Sequence, residues 1–205
     1  MHALGDCNIF WYELGSALGE DNLPLEWNLI EWRLDNKIEN ILDATQASSW
    51  TGFLTGPGNF REQVATILPY KGQRNREGRP FWYQGIYNYL KSMPNMVVAI
   101  GREADDEIAD RHDTKNTICC SRDKDFQQLE GWHYRWPGYK QDERPVYYIN
   151  QIDGLRFLYY QLLVGDKADN ILGLFGVGDK SAAVLRLRTC DSERDMADLV
   201  LEEYE

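Results

Sequence analysis

The chain has 205 residues, 43% of them hydrophobic, and a formal net charge of −11 at pH 7. That length suits one domain with a real core, and with no run of eighteen apolar residues neither a membrane-spanning helix nor a membrane partner is expected. There is no basic-then-apolar leader pattern, and the cysteines (Cys7, Cys119, Cys120, Cys190) have no C-x-x-C spacing, so a reduced, cytoplasmic setting is expected.

The charge is segregated. From Phe60 to Lys91 six basic residues face two acids, whereas Glu103 to Asp125 holds eight acids against four bases. The tail from Thr189 to Glu205 holds seven acids and one base. An acidic total is the wrong sign for a nucleic-acid partner, but one basic loop beside one acidic cluster fits a metal-using phosphodiesterase.

Taken in order, His2 to Phe10 is a short apolar stretch carrying Asp6. Leu23 to Leu42 has apolar residues at helical spacing, and its tryptophans are expected in the core. Trp50 to Leu54 reads as a second strand, ending at Thr55-Gly56. A basic loop carrying Arg61, Tyr70, Lys71 and Arg74 follows, then an aromatic helix from Phe81 to Leu90 with Pro80 in its first turn. Asn95 to Ile100 has the composition of a buried parallel strand. It runs into Glu103, Asp105 and Asp106, where Glu103 and Asp106 are spaced i, i+3 on a nascent helix. Thr117 to Ser121 is another apolar strand, with Cys119 and Cys120 as buried small hydrophobes and Asp123 and Asp125 beyond its end. An Asp-x-Asp pair there can serve one hard cation. Trp132–Trp136 and Val146–Tyr148 read as a hairpin or edge strands. A helix from Gly154 to Val164 delivers Asp166 and, three residues on, Asp169. Gly173, Gly176 and Gly178 then punctuate a turn before the apolar pattern of Ala182, Ala183 and Leu185, a device that presents bare N–H groups to phosphate. A short acidic helix, Asp191 to Tyr204, closes the chain.

Several of these stretches, in this order, are similar to the flap endonuclease and 5′-to-3′ exonuclease family, most of all its bacteriophage branch. They are Leu4-Gly5-Asp6-Cys7-Asn8, Asn59-Phe60-Arg61, Tyr70-Lys71-Gly72-Gln73-Arg74, Glu103-Ala104-Asp105-Asp106 and Ser121-Arg122-Asp123-Lys124-Asp125. The fullest match is Gly165-Asp166-Lys167-Ala168-Asp169-Asn170-Ile171-Leu172-Gly173, continued by Gly176-Val177-Gly178-Asp179-Lys180-Ser181-Ala182, which resembles that family's helix-three-turn-helix.

The resemblance implies an α/β, PIN-like 5′-nuclease fold, a mainly parallel sheet flanked by helices. Residues 1–150 would be the catalytic domain, with a short arch at about 60–92, and 151–205 a helix–hairpin–helix region; full family members continue further. It implies that Asp6, Glu103, Asp105, Asp106, Asp123, Asp125, Asp166 and Asp169 are metal ligands. A pair of Mg²⁺ or Mn²⁺ ions roughly 4 Å apart is the economical way to bring such acids together, with K⁺ at the hairpin. It implies that Lys71 and Arg74 contact the scissile phosphate. DNA would be bound by Tyr70, Arg61, Gly176, Val177, Gly178 and Lys180. The substrate would be DNA with a free 5′ end, flap or junction, with RNA a further candidate, handled by a monomer in the cytoplasm, a host's if the source is a bacteriophage. One departure stands out: the family's acid at the end of the second strand falls here on Thr55 or Gly56. That keeps open the reading of a catalytically silent DNA-structure-binding module; a PIN-like ribonuclease is a further alternative, against which the full hairpin motif argues.

Overall fold

The computed structural model describes residues 1–74, 78–138 and 140–205; residues 75–77 of the expected arch, and 139, lie outside the described residues. The chain divides into two compact units. The first comprises 1–60, 75–123 and 131–148, and the second 61–74, 124–130 and 149–205.

The first unit is built on a six-stranded sheet. Its strands are β1 (His2–Asp6), β2 (Ser49–Thr55), β3 (Met96–Ala99), β4 (Thr117–Cys120), β5 (Gly131–Arg135) and β6 (Arg144–Ile149), in the spatial order β3-β2-β1-β4-β5-β6. The pairings β2–β3, β1–β2, β1–β4 and β4–β5 are all parallel. Parallel neighbours need crossovers, supplied by α1 (Phe10–Gly15) with α2 (Trp27–Thr45), by α4 (Tyr83–Ser92), and by α5 (Ala104–Arg111). The strand order reverses between β1 and β4, the kind of switch point where open α/β sheets take their ligands.

The core explains the strand composition. Ala3, Phe10, Ile30, Leu34, Leu54, Ile86, Leu90 and Ile118 are wholly or almost wholly buried in one cluster. Cys119 and Cys120 are buried with β4, as expected. Gly5 is a packing requirement, because a Cβ there would lie 1.8 Å from the Trp50 ring.

Three local expectations are corrected. The second helix starts at Trp27 rather than Leu23, and Trp32 is not in the core: it is 62% exposed, at the edge of a cavity between α2 and the segment after β5. Pro80 precedes α4, which begins at Tyr83 after Trp82 as N-cap. The strand Met96–Ala99 is half-buried over most of its length, since it lies at the sheet's edge.

The second unit is helical. It holds α3 (Arg61–Val64), α6 (Gln151–Val164), α7 (Ala182–Leu187) and α8 (Glu193–Tyr204). Its core gathers Leu163, Ala183, Val184, Leu187, Met196, Leu199 and Val200. Between α6 and α7 the chain pairs β7 (Gly165–Asp166) with β8 (Ile171–Leu172) in an antiparallel hairpin. Asp166 and Asp169 therefore lie on a strand and its turn, not on a helix. Glycine makes this possible: Gly165 has φ +71°, and a Cβ on it would come within 2.2 Å of the Gly173 nitrogen.

Candidate functional site

In the first unit the acids gather at the carboxyl ends of the strands. Asp6 closes β1 and is 5% exposed. One of its oxygens accepts the Asn8 N–H at 3.1 Å and the other the Ser121 hydroxyl at 3.0 Å. Ser121 Oγ in turn accepts the Asp123 N–H at 3.0 Å, so the strand end also orients the second acid. Burial, then the charges of Asp123 and Asp105, push the Asp6 carboxyl up to about 7, against the lowering effect of its Ser121 and Asn8 bonds. A buried carboxylate pressed by two others is a site that favours a cation.

Glu103 and Asp106 do not stand side by side on a helix. Glu103 is the N-cap of α5 and the two form a capping box, with Asp106 Oδ2 accepting the Glu103 N–H at 3.0 Å. Asn59 donates to Glu103 Oε1 at 3.0 Å, and Asp105 Oδ1 accepts the Asp106 N–H at 2.9 Å. At the end of β2, Thr55 Oγ1 accepts from Asn8 Nδ2 at 2.9 Å and from the Ala104 N–H at 3.0 Å. The Thr55 N–H donates back to Asn8 Oδ1 at 2.9 Å. A hydroxyl thus ties the turn after β1, the end of β2 and the start of α5 together where the family resemblance expects an acid.

In the second unit the basic loop grips the β7–β8 hairpin. Tyr70 donates its hydroxyl to Asp169 at 2.9 Å; Arg74 and Lys71 approach the same carboxylate at 3.1 and 3.6 Å. The main chain joins in: the Lys71 N–H donates to the Asp169 carbonyl, the Gln73 side-chain amide to the carbonyls of Lys167 and Ala168, and the Asn170 side-chain amide to that of Pro69. Lys71 holds a positive φ of 52° to do so. Lys124 bridges to Asp166 at 2.8 Å, and Gln161 spans Asp125 at 2.6 Å and Asp166 at 3.3 Å. Burial alone would raise the Asp166 carboxyl, but Lys124 and the amides of Ala168 and Asp169 outweigh it and hold the group below the usual carboxylate value. Lys124 and Gln161 are not among the residues that the sequence singles out. Lys124 has a signal in its place between two candidate ligands; for Gln161 no sequence signal exists.

Arg61 opens α3. Around the glycine turn, Gly176 has φ +77° and a Cβ at either Gly176 or Gly178 would meet nothing within 4 Å, so this backbone is open to approach. Val177 packs toward the core of the second unit, and Lys180 is exposed. Ser181 caps α7 by accepting the Val184 N–H, and α7 itself is only six residues long.

The donor set, carboxylate oxygens throughout, fits a hard divalent cation by chemistry. Its spacing is looser than a closed ligand shell: among the described residues no group of three or more His, Cys, Asp or Glu side chains is placed to hold a metal ion. No helix among the described residues is long and apolar enough to cross a membrane.

No family model matches the chain. Over 115 residues it is 34% identical to flap endonuclease Xni of Shewanella sp. strain MR-4, and equally to that of strain MR-7. Over that stretch the chain is similar to flap endonucleases. The match spans 51% of this chain and 43% of each of these relatives. Among solved structures, the bacteriophage T5 D15 protein co-crystallised with metal ions superposes with a TM-score of 0.61 at 16% identity, covering 98% of this chain and 84% of the other. Human GEN1 in complex with Holliday junction DNA gives 0.56 at 14% identity, over 99% of this chain and 56% of that one. The catalytic core of Rad2 in complex with DNA substrate gives 0.53 at 14% identity, over 100% and 73%. These likenesses bear out the fold expected from the sequence, an α/β fold with a mainly parallel sheet flanked by helices.

Proposed function

We propose that this chain is a divalent-metal-dependent 5′-nuclease that hydrolyses DNA phosphodiester bonds near 5′ ends, flaps or junctions. The observation that carries the reading is the environment of Asp6: buried, pressed by Asp123 and Asp105, and lying at the switch point of a parallel sheet. Asp6, Asp105 and Asp123 are the proposed inner ligands of the first unit, with Glu103 and Asp106 fixing the start of α5 beside them. Asp125, Asp166 and Asp169 are the proposed acids of the second unit. Mg²⁺ or Mn²⁺ bound there would lower the pKa of an attacking water and neutralise charge on the leaving oxygen.

The chain's own groups do the rest. Lys71 and Arg74 share the carboxylate of Asp169, and a phosphate can replace that carboxylate as their partner. As charge grows on the phosphorus oxygens, the two cations stabilise it in place, with little reorganisation. Tyr70, on the same loop, offers a ring for stacking on a terminal base. The open backbone at Gly176 and Gly178, with Lys180 and Arg61, is proposed to hold duplex phosphates without reading sequence.

A second reading is a DNA-structure-binding module without cleavage. It is favoured by Thr55 at the end of β2 and by the loose spacing of the acids. A 5′-flapped duplex, labelled at either end and incubated with Mg²⁺, Mn²⁺ or chelator, separates the two. Metal-dependent release of short 5′ products supports the nuclease. Junction binding with no cleavage under any metal supports the module.

A further inference from the structure

The first unit holds a cavity of about 560 Å³ that none of the eight candidate acids lines. One wall is a face of α2, with Trp32, Arg33, Asn36, Lys37 and Asn40 along successive turns; the other is the segment after β5, with Trp136. The volume lies in the range of small-molecule sites, and the lining has their usual make-up: apolar and aromatic surface with a few polar groups converging.

The charge at this cavity runs against that of the protein as a whole. Lys37 approaches Glu13 at 2.6 Å, Arg122 pairs with the same carboxylate, and Trp136 donates its indole N–H to it at 3.2 Å. One acid therefore serves two cations and an N–H donor. Arg33 adds a third base, and Glu143, which accepts the Tyr134 hydroxyl at 2.8 Å, adds a second acid. Glu13 and Arg122 lie outside the lining; within it two bases, Arg33 and Lys37, against one acid, Glu143, leave one positive charge in a chain of net −11. The Lys37 ammonium also lies 5.6 Å from the centres of the Phe10 and Trp136 rings, which keeps it in low-dielectric surroundings where an anion is attracted strongly. Burial holds Lys37 down at about 8, as expected for an ammonium that its one shared carboxylate does not fully compensate. Trp32 stands 62% exposed at the rim, an aromatic face that the fold leaves unpacked.

We propose that this cavity binds a nucleotide, its base against Trp32, its phosphate toward Arg33 and Lys37, and its base edge within reach of the Asn36 and Asn40 amides. Stacking of a base on an aromatic ring needs no particular base. The ligand is either a free mononucleotide or one nucleotide of a single strand; both present the same chemistry. The inference does not depend on the nuclease reading, since its residues and those acids are separate sets.

The test is calorimetric titration of the full chain, in chelator, with a deoxynucleoside 5′-monophosphate, the matching nucleoside, inorganic phosphate and a short single-stranded oligonucleotide. The mononucleotide, the oligonucleotide or both should bind, and nucleoside and phosphate more weakly than the mononucleotide. Trp32→Ala and Arg33→Ala should each weaken binding about tenfold or more, with Trp32→Phe largely restoring it. Both positions are on the surface of α2, so the variants should melt like the parent. Binding by the oligonucleotide alone, with the same losses, assigns the source to a strand. No binding of either nucleotide form, equal binding of phosphate alone, or unchanged affinity in Trp32→Ala would overturn the proposal.

Discussion

Ser121 donates its hydroxyl to Asp6 at 3.0 Å across the boundary between β4 and β1. With the Asn8 N–H, it stabilises a carboxylate that burial and the neighbouring acids oppose. Because the folded protein holds Asp6 at about 7 rather than 3.8, it binds that proton more tightly than the unfolded chain does. Stability contributed by this group is therefore lost as pH rises from about 4 to about 7, and the loss is complete above that. In chelator, Asp6→Asn should remove this slope and exceed the parent in stability at about pH 8 by roughly 1–3 kcal/mol, with the gap closing at about pH 4. Urea denaturation at both pH values measures it; a parent that stays more stable at the higher pH would refute the assignment.

Asp166 predicts the opposite trend. Its carboxyl is held below the ordinary value, so the stability from Lys124 and the Ala168 amide is present above about pH 4 and lost as pH falls through the folded value. Asp166→Asn should flatten the acid limb of the stability curve while leaving the slope assigned to Asp6 intact. An acid limb identical to the parent's would argue that the Lys124 bridge contributes nothing.

On the proposed nuclease reading, the cluster of Tyr70, Lys71 and Arg74 around Asp169 would separate rate from affinity. Lys71→Ala should lower single-turnover cleavage by about 10²–10³ and weaken DNA binding much less. Asp169→Ala should instead release the loop, seen as faster proteolysis within 61–74. Equal losses of binding and rate in Lys71→Ala would move that residue from the chemistry to simple phosphate contact.

Thr55 can be tested in two directions. Thr55→Val keeps the shape but leaves Asn8 Nδ2 and the Ala104 N–H without their acceptor, a cost of about 1–3 kcal/mol, which Thr55→Ser should recover. Thr55→Asp adds a carboxylate at the end of β2, the strand beside that of Asp6, so its melting temperature should fall in chelator and rise on adding Mn²⁺ by more than the parent's. A parent-like response to Mn²⁺ would place that position outside any metal environment.

Much of this was legible in the sequence. Strands β1, β2 and β4 are written as short apolar runs, and Asp6 and Asp123 are at or just beyond the ends of two of them. What periodicity missed was set by local backbone choices. Glu103 caps its helix because its side chain and that of Asp106 satisfy each other's amides, which the i, i+3 spacing alone does not distinguish from two acids on one helical face. Asp169 sits in a hairpin turn because two glycines allow close strand approach. Trp32 fits the helical pattern but is left largely exposed. The ties of Gln161 to Asp125 and of Lys71 to Asp169 join residues far apart in sequence, and no local rule reports them.

The fastening of loop 61–74 to residues 167–170 has a consequence for synthesis. Emerging from the ribosome, the loop must wait until nearly a hundred further residues have been made before its partners exist. Closing so long a segment is entropically slow to gain, so Lys71 and Arg74 should be among the last side chains to reach their native places. A translation-arrested chain stopped before Lys167 should expose that loop to protease even when the sheet of the first unit has formed.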